Sequence, residues 1–123
     1  RDDSEAAARW IATSPAQPGR EVTGLVITGD SAGWNLTIVT TNQLVNAPAA
    51  VPVLVQAPIY PVANDISQHT SLRDFFEGFF LTGAAMAWFT QQYGGDPSDP
   101  RVTPMVGDCA NTPPTVICTA GLD

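Results

Sequence analysis

The sequence predicts an α/β fold, with a mostly parallel sheet and helical crossovers, in a single domain. Candidate helices and strands alternate along the chain, in the order helix, strand, helix, strand, helix, strand. The candidate strands are short, apolar and rich in β-branched residues, without the alternation of a half-exposed strand. Of the 123 residues, 44% are hydrophobic and 14% are charged. This composition and length fit one globular domain with its own core.

The first predicted helix and strand lie before residue 29. Residues 3–13 are rich in Ala, and their apolar side chains are spaced as on an amphipathic helix. Residues 14–19 contain two prolines and a glycine, which end this helix. Residues 22–28 then predict a short buried strand, because β-branched residues dominate the segment.

A second helix and a second strand follow. Residues 34–46 form the predicted helix, and Pro48 follows its end. Residues 51–59 predict a buried strand that Pro52 and Pro58 interrupt. The residues of the second helix that we expect to face inward are Leu36, Val39 and Leu44.

The C-terminal half predicts one more helix and one more strand. Residues 61–72 are polar and predict a loop. Thr82 is the predicted N-cap of a helix over residues 83–93, which Gly94 and Gly95 end. After a loop rich in Pro, Asp and Gly, residues 115–119 predict a third buried strand.

The charge of the chain excludes some classes of partner. The formal net charge is −7, from five Arg and twelve acidic residues, with no Lys. The cations are scattered, so they form no patch for nucleic-acid phosphates or anionic lipid. The apolar runs are far too short for a membrane span. We therefore expect neither a nucleic-acid partner nor stable insertion into a membrane.

Residues 29–33 read Gly-Asp-Ser-Ala-Gly and fit the pattern G-x-S-x-G. The pentapeptide alone is equally compatible with an ordinary glycine-rich turn that carries a capping serine. Its context favours a nucleophile elbow, because it follows a predicted buried strand and precedes a predicted helix. Such a turn exposes the hydroxyl of Ser31, and we expect side chains at positions 29 and 33 to crowd it. We interpret Asp30 as a support for the turn.

Several further segments resemble the hormone-sensitive-lipase family of bacterial carboxylesterases, which have the α/β-hydrolase fold. Residues 29–36 match the elbow of that family, Gly-Asp-Ser-Ala-Gly-Gly-Asn-Leu, at seven of eight positions. The other matching segments are Ala-Arg-Trp-Ile at 8–11, Ile-Tyr-Pro at 59–61, Asp-Pro-Arg-Val-Thr-Pro at 99–104 and the Pro-Pro strand at 113–123. The resemblance thus extends over essentially the whole chain.

The resemblance implies a role for each residue of the elbow and for the last residue. Ser31 would be the nucleophile, Asp123 the acid that orients a catalytic His, and the amide of Ala32 an oxyanion-hole donor. Gly29 and Gly33 would be the glycines of the elbow. The implied reaction is hydrolysis of short- to medium-chain carboxylic esters, without a cofactor. The family also implies pairing into homodimers through elements outside this chain.

The same resemblance implies that other parts of the catalytic machinery lie outside these residues. The chain begins at Arg1 without Met, and the final strand stops at Asp123. We expect residues 1–123 to be the central part of one α/β-hydrolase domain. The family's His-Gly-Gly-Gly segment and catalytic His are absent from it, so the 123 residues alone should be nearly inactive. Trp34 departs from the Gly of the family and would either narrow the pocket or disturb the elbow.

Two alternative functions remain open at this point. A serine peptidase of the same fold also has an elbow of this kind, but the segments at 99–104 and 113–123 favour an esterase. A non-catalytic small-molecule-binding protein on this fold is the second alternative, and the presence of both Ser31 and Asp123 weighs against it. A His some 30 positions beyond Asp123 would favour an enzyme.

The remaining polar candidates favour structural roles. His69 precedes Asp123 in the chain, the wrong order for this family's triad, so we expect it in a surface loop. Cys109 and Cys118 could pair, but Cys118 fits a small core residue better. Neither cysteine has neighbours at metal-ligand spacing, so we predict no metal site. Two cysteines without a disulfide framework favour the cytoplasm.

The last two groups of candidates are the clustered phenylalanines and the loop carboxylates. The phenylalanines could line an acyl pocket, but we expect core packing for at least half of them. The carboxylates lie in a Pro- and Gly-rich loop and are expected to form turns rather than a calcium site. The two groups are Phe75, Phe76, Phe79 and Phe80, and Asp96, Asp99 and Asp108.

Overall fold

The computed structural model describes residues 2–61 and 69–121 and contains helices, two paired strands and a 3-10 turn. The order of the elements is helix, strand, helix, strand, followed by two further helices. They are α1 Asp2–Ala12, β1 Leu25–Asp30, α2 Ala32–Asn46, β2 Val53–Ile59, α3 Thr70–Asp74, α4 Gly83–Tyr93 and the 3-10 turn Pro104–Val106.

The strands β1 and β2 are parallel neighbours, and α2 connects them. Their register pairs Val26 with Val55 and Asp30 with Ile59, after an irregularity at the start of β1. The helix packs against both strands, which is how a crossover helix covers one face of a parallel pair. The predicted α/β fold is therefore confirmed in its type and in its parallel pairing.

The third predicted strand lies alongside β2, but it is neither continuous nor buried. Two isolated parallel bridges join it to β2, Gln56 with Thr115 and Ile59 with Cys118. Between them Pro58 accepts from the Cys118 amide at 3.2 Å, but proline has no N–H with which to continue the ladder. The prediction of a buried strand is wrong for the described chain, where residues 115–119 are exposed.

Three of the six buried residues of α2 are threonines. Val39 and Leu44 are buried as predicted, whereas Leu36 is only half-buried. The buried threonines Thr37 and Thr41 were not predicted, because their hydroxyls mark them as surface residues. Thr37 donates its hydroxyl proton to the Gly33 carbonyl at 2.9 Å, so its methyl group is buried without loss of that hydrogen bond.

The hydrophobic core joins the end of α1 to the first strand and the second helix. Its buried members are Ala12, Leu25 and Leu44, and half-buried apolar residues of α1, of both strands and of the segments before the strands pack around them. The Arg9 side chain fixes α1 from outside, since it donates to the Ala47 carbonyl at 2.8 Å just beyond α2. The α1 helix is thus held against the end of α2 by apolar packing and by one long polar side chain.

The C-terminal helices agree only in part with the prediction. Thr82 caps α4, because its Oγ1 accepts from the Ala85 amide at 3.3 Å, and Gly94 ends the helix at φ 62°. The predicted loop over 61–72 is partly wrong, since α3 begins at Thr70, while residues 62–68 lie outside the described residues. A helix of five residues has too few apolar positions to show a period in the sequence.

The phenylalanine-rich segment is not core in the part of the chain that the structure describes. Three of the four side chains are exposed, those of Phe76, Phe79 and Phe80. Phe75 is half-buried, and its ring is edge-on to that of Phe79, with 5.3 Å between the ring centroids. The expectation that at least half of them pack in a core is therefore wrong for these residues.

Across residues 2–61 and 69–121, no helix has the length and apolar character to cross a bilayer.

The core cluster allows a test of how much α2 contributes to stability. We expect Leu44→Ala to lower the free energy of unfolding of the intact protein by about 2–5 kcal/mol, because it leaves a cavity among Ala12 and Leu25. Leu44→Met keeps the side-chain volume and should cost less than about 1.5 kcal/mol. Denaturant titration followed by circular dichroism measures both. Equal losses for the two variants would contradict a close-packed environment at Leu44.

Candidate active site

Ser31 lies on a tight turn between β1 and α2. Its backbone has φ 51° and ψ −122°, a conformation that residues other than glycine rarely adopt, and the residue is exposed. Holding a residue in such a conformation costs about 1–3 kcal/mol. The hydroxyl does not cap α2, although serine is a favoured N-cap residue. The turn therefore presents Ser31 Oγ to solvent at the carboxyl end of a parallel strand.

The approach of the chain to itself explains the glycine at position 29. A Cβ on Gly29 would meet the Gly33 carbonyl oxygen in close contact and Thr37 Oγ1 at 2.9 Å. The expected crowding at position 29 is thus found. At Gly33 it is not found, because a Cβ there would meet no described atom within 4 Å. The close contact involves the carbonyl of Gly33 and not its Cα hydrogens, so position 33 has room for a methyl group.

The N-terminus of α2 points its free amides at the turn. Ala32 is the first residue of α2, so its amide has no acceptor within the helix. Trp34 donates its own amide to the Ser31 carbonyl at 3.2 Å, which closes the first turn. Amides and dipole together favour negative charge at this end of the helix. An oxyanion next to Ser31 Oγ would lie in that field.

A second contact joins the two strands at the same edge of the sheet. The Tyr60 hydroxyl donates to Asp30 Oδ2 at 3.2 Å, and Asp30 directly precedes Ser31. Tyr60 itself has φ 40°, and its amide donates to the Cys118 carbonyl at 2.6 Å. The predicted role of Asp30 as a support for the turn therefore has a structural counterpart. Sequence reasoning named Tyr60 only within the Ile-Tyr-Pro segment and gave it no role, although its position directly after β2, one residue beyond the partner of Asp30, could have identified it.

The turn at residues 99–104 packs against the start of α2. Asp99 binds the Arg101 side chain through both carboxylate oxygens, and this contact raises the pKa of the Arg101 guanidinium. The Val102 carbonyl then accepts from Asn35 Nδ2 at 3.3 Å. The Asp96 carboxylate accepts hydrogen bonds from the Ser98 backbone amide and from the Ser98 hydroxyl. These bonds, the amide bond most of all, lower the pKa of Asp96. Asp96 and Asp99 thus form turns, as predicted.

Comparison with known proteins gives the family of the chain. The family model for the alpha/beta hydrolase fold matches residues 1–123. The ethyl acetate hydrolase of Pseudomonas putida is 31% identical over 99% of this chain and 40% of that protein. The carboxylesterase NlhH of Mycobacterium tuberculosis is also 31% identical, over the same shares of the two chains. The chain belongs to the α/β-hydrolase family.

A solved structure gives the same result for the fold. Carboxyl esterase 2 from the fungus Tuber melanosporum superposes with a TM-score of 0.80 at 22% identity, over 97% of this chain and 41% of that one. The esterase-family resemblance predicted from the motifs is confirmed, as is the fold class. This α/β-hydrolase chain spans about 40% of the length of the curated relatives that it matches.

Trp34, which replaces the Gly of the elbow motif, does not disturb the elbow of this hydrolase. Its side chain is buried, with 5% of its surface exposed, and α2 is regular from Ala32 onward. The strained backbone of Ser31 is kept directly before it. Of the two expectations for Trp34, disturbance of the turn is therefore wrong, and narrowing of the pocket stays a prediction.

The other predicted site residues have different outcomes. Asp123 lies outside the described residues, so its role as catalytic acid stays a prediction. His69 is exposed at the start of α3, as expected for a surface histidine. Cys109 and Cys118 are free thiols and both are exposed, so the core position predicted for Cys118 is wrong. Over residues 2–61 and 69–121, no three His, Cys, Asp or Glu side chains cluster as metal ligands do.

The different surroundings of the two elbow glycines lead to opposite expectations for alanine. Gly29→Ala should lower the free energy of unfolding by about 1–3 kcal/mol, because the methyl group forces apart β1 and the first turn of α2. Gly33→Ala should be neutral or stabilise by up to about 1 kcal/mol, since alanine favours the helix. Denaturant titration of the two variants measures both. A larger loss at position 33 than at position 29 would refute this account of the turn.

Proposed function

We propose that the protein hydrolyses carboxylic esters through an acyl-Ser31 intermediate. The observation that carries the proposal is the strained backbone of Ser31, which exposes a hydroxyl at the N-terminus of α2. A fold with no use for this hydroxyl would gain stability from glycine at position 31, which adopts positive φ freely. The relatives named as an ethyl acetate hydrolase and a carboxylesterase give independent support.

The proposed reaction has two steps. Ser31 Oγ attacks the ester carbonyl while a histidine base accepts the hydroxyl proton, and the carbonyl oxygen becomes an oxyanion. The Ala32 amide donates a hydrogen bond to that oxyanion, and removal of such a donor costs about 10²–10³ in rate. The C–O bond to the alcohol breaks as the histidine returns the proton. Water then attacks the acyl-Ser31 ester in the same way and releases the carboxylic acid.

The remaining parts of the proposal concern Asp123, the base and the substrate. Asp123 would orient the histidine and stabilise its charged form, while the histidine itself lies outside these 123 residues. The proposed substrates are esters with short or medium acyl chains. We place the reaction in the cytoplasm, since both cysteines are free thiols. The chemistry uses side chains and water and calls for no cofactor.

Replacement of Ser31 tests the proposal directly. In the intact protein, Ser31→Ala should reduce hydrolysis of p-nitrophenyl acetate by about 10³-fold or more, because no acyl-enzyme can form. A fluorophosphonate probe should label the unaltered protein at Ser31, with loss of fluoride, and should not label the variant. Ser98→Ala is the matched control, since Ser98 is exposed and bonds only to Asp96. Its activity should be unchanged.

Two outcomes would contradict the proposal. Equal hydrolysis by the unaltered protein and by Ser31→Ala would move the nucleophile elsewhere. A folded, intact protein that neither hydrolyses the ester nor reacts with the probe would favour a binding protein on this fold. Mass spectrometry of the labelled peptide and circular dichroism of each variant separate these outcomes from a failure to fold.

A further inference from the structure

We propose that Tyr60 is a positioning residue that fixes the nucleophile relative to the segment that leads to the catalytic acid. This inference rests on the proposed function, since it assigns Tyr60 a part in the same site. Tyr60 follows β2 directly, and β2 lies between β1 and residues 115–119 in the sheet. One residue thus contacts both neighbours at the edge where the chemistry takes place.

The side chain of Tyr60 contacts the nucleophile strand. Its hydroxyl donates to Asp30 Oδ2 at 3.2 Å, and Asp30 is the last residue of β1, directly before Ser31. The acceptor is a carboxylate, which accepts hydrogen bonds more strongly than a neutral oxygen does. The bond therefore restrains the side chain of the residue directly before Ser31, and this is the route by which Tyr60 would act on the nucleophile.

The backbone of Tyr60 contacts the other neighbour. Its amide donates to the Cys118 carbonyl at 2.6 Å, which is the last bond between β2 and this segment. Since Pro58 cannot donate, this bond and that from the Gln56 amide to the Pro114 carbonyl are the two amide donations described from residues 56–60 to this segment. Cys118 lies five residues before Asp123 (123 − 118 = 5). The position of Tyr60 thus influences where the acid-bearing segment leaves the sheet.

The backbone conformation of Tyr60 carries a cost that the hydrogen bond of its side chain offsets. Its φ of 40° lies in the left-handed region, which a bulky residue occupies only at a cost in free energy. Glycine would adopt the same backbone without that cost. A tyrosine at this position gains the bond to Asp30, which glycine could not make. Ser31 and Tyr60 are therefore two strained residues directly after adjacent strands, linked through Asp30.

Removal of the hydroxyl tests the inference. In the intact protein, Tyr60→Phe should lower kcat for p-nitrophenyl acetate by roughly threefold to tenfold with KM unchanged, the range expected for loss of one hydrogen bond. Rates are divided by the number of active sites titrated with a fluorophosphonate, so that unfolded protein does not count. Tyr93→Phe is the matched control, because within residues 2–61 and 69–121 that hydroxyl bonds only to the Arg101 carbonyl, at 3.4 Å. Its kcat per titrated site should not change.

A double-mutant cycle identifies the partner of the hydroxyl. Asp30→Ala should lower kcat per site, and Tyr60→Phe should lower it by a smaller factor in the Asp30→Ala background than on its own, because the shared bond is already lost. Asp30→Asn keeps an acceptor oxygen and should retain most of the activity. Multiplicative losses in the double variant would overturn the coupling between Tyr60 and Asp30.

The outcomes separate this inference from the proposed function. Unchanged kcat per titrated site in Tyr60→Phe, in a protein that is active and labelled at Ser31, overturns the positioning role alone. A lower number of titrated sites with unchanged kcat per site also overturns it, since that result shows a role in folding only. If the unaltered protein is neither labelled nor active, the proposed function fails and this inference fails with it.

Discussion

The close approach of the Gly29 Cα to the Gly33 carbonyl is the constraint on which the rest of the site depends. It lets β1 turn into α2 within one residue, and that residue is Ser31, at φ 51°. The same turn directs the free amides of α2 toward the hydroxyl. Exposure, strain and the local field thus have one geometric origin. A bulkier residue at position 29 would separate strand from helix and weaken all three together.

The strain of this turn is balanced by the packing that follows it. The helix α2 packs against β1 and β2, and its buried residues are Trp34, Val39, Leu44 and three threonines. Because protein interiors are close-packed, a change of even one methylene group in this interface would disturb the packing between the helix and the sheet. The stability of the core and the geometry of Ser31 are therefore coupled through a single helix.

The sequence was sufficient for the elements whose cause is local. Apolar β-branched runs predicted both paired strands, and Thr82 and Gly94 predicted the ends of α4. The steric need at Gly29 followed from the motif, and the family from its combination with other segments. Features that depend on distant contacts could not be predicted. The exposure of residues 115–119 depends on which elements pack against them. The bond from Tyr60 to Asp30 depends on the register of β1 and β2.

Of the three described non-glycine residues with positive φ, Ser14 follows α1, and the other two lie where strands end at one edge of the sheet. Ser31 follows β1 and Tyr60 follows β2, and the two strands end in register at Asp30 and Ile59. A positive φ at such a point turns the chain sharply away from the sheet while its last side chains remain fixed by pairing. The parallel ladder therefore holds both turns at a set separation. The backbone pairing of the two strands therefore sets the geometry of a site at this edge. Side chains such as Tyr60 restrain the side-chain rotations that the pairing leaves free.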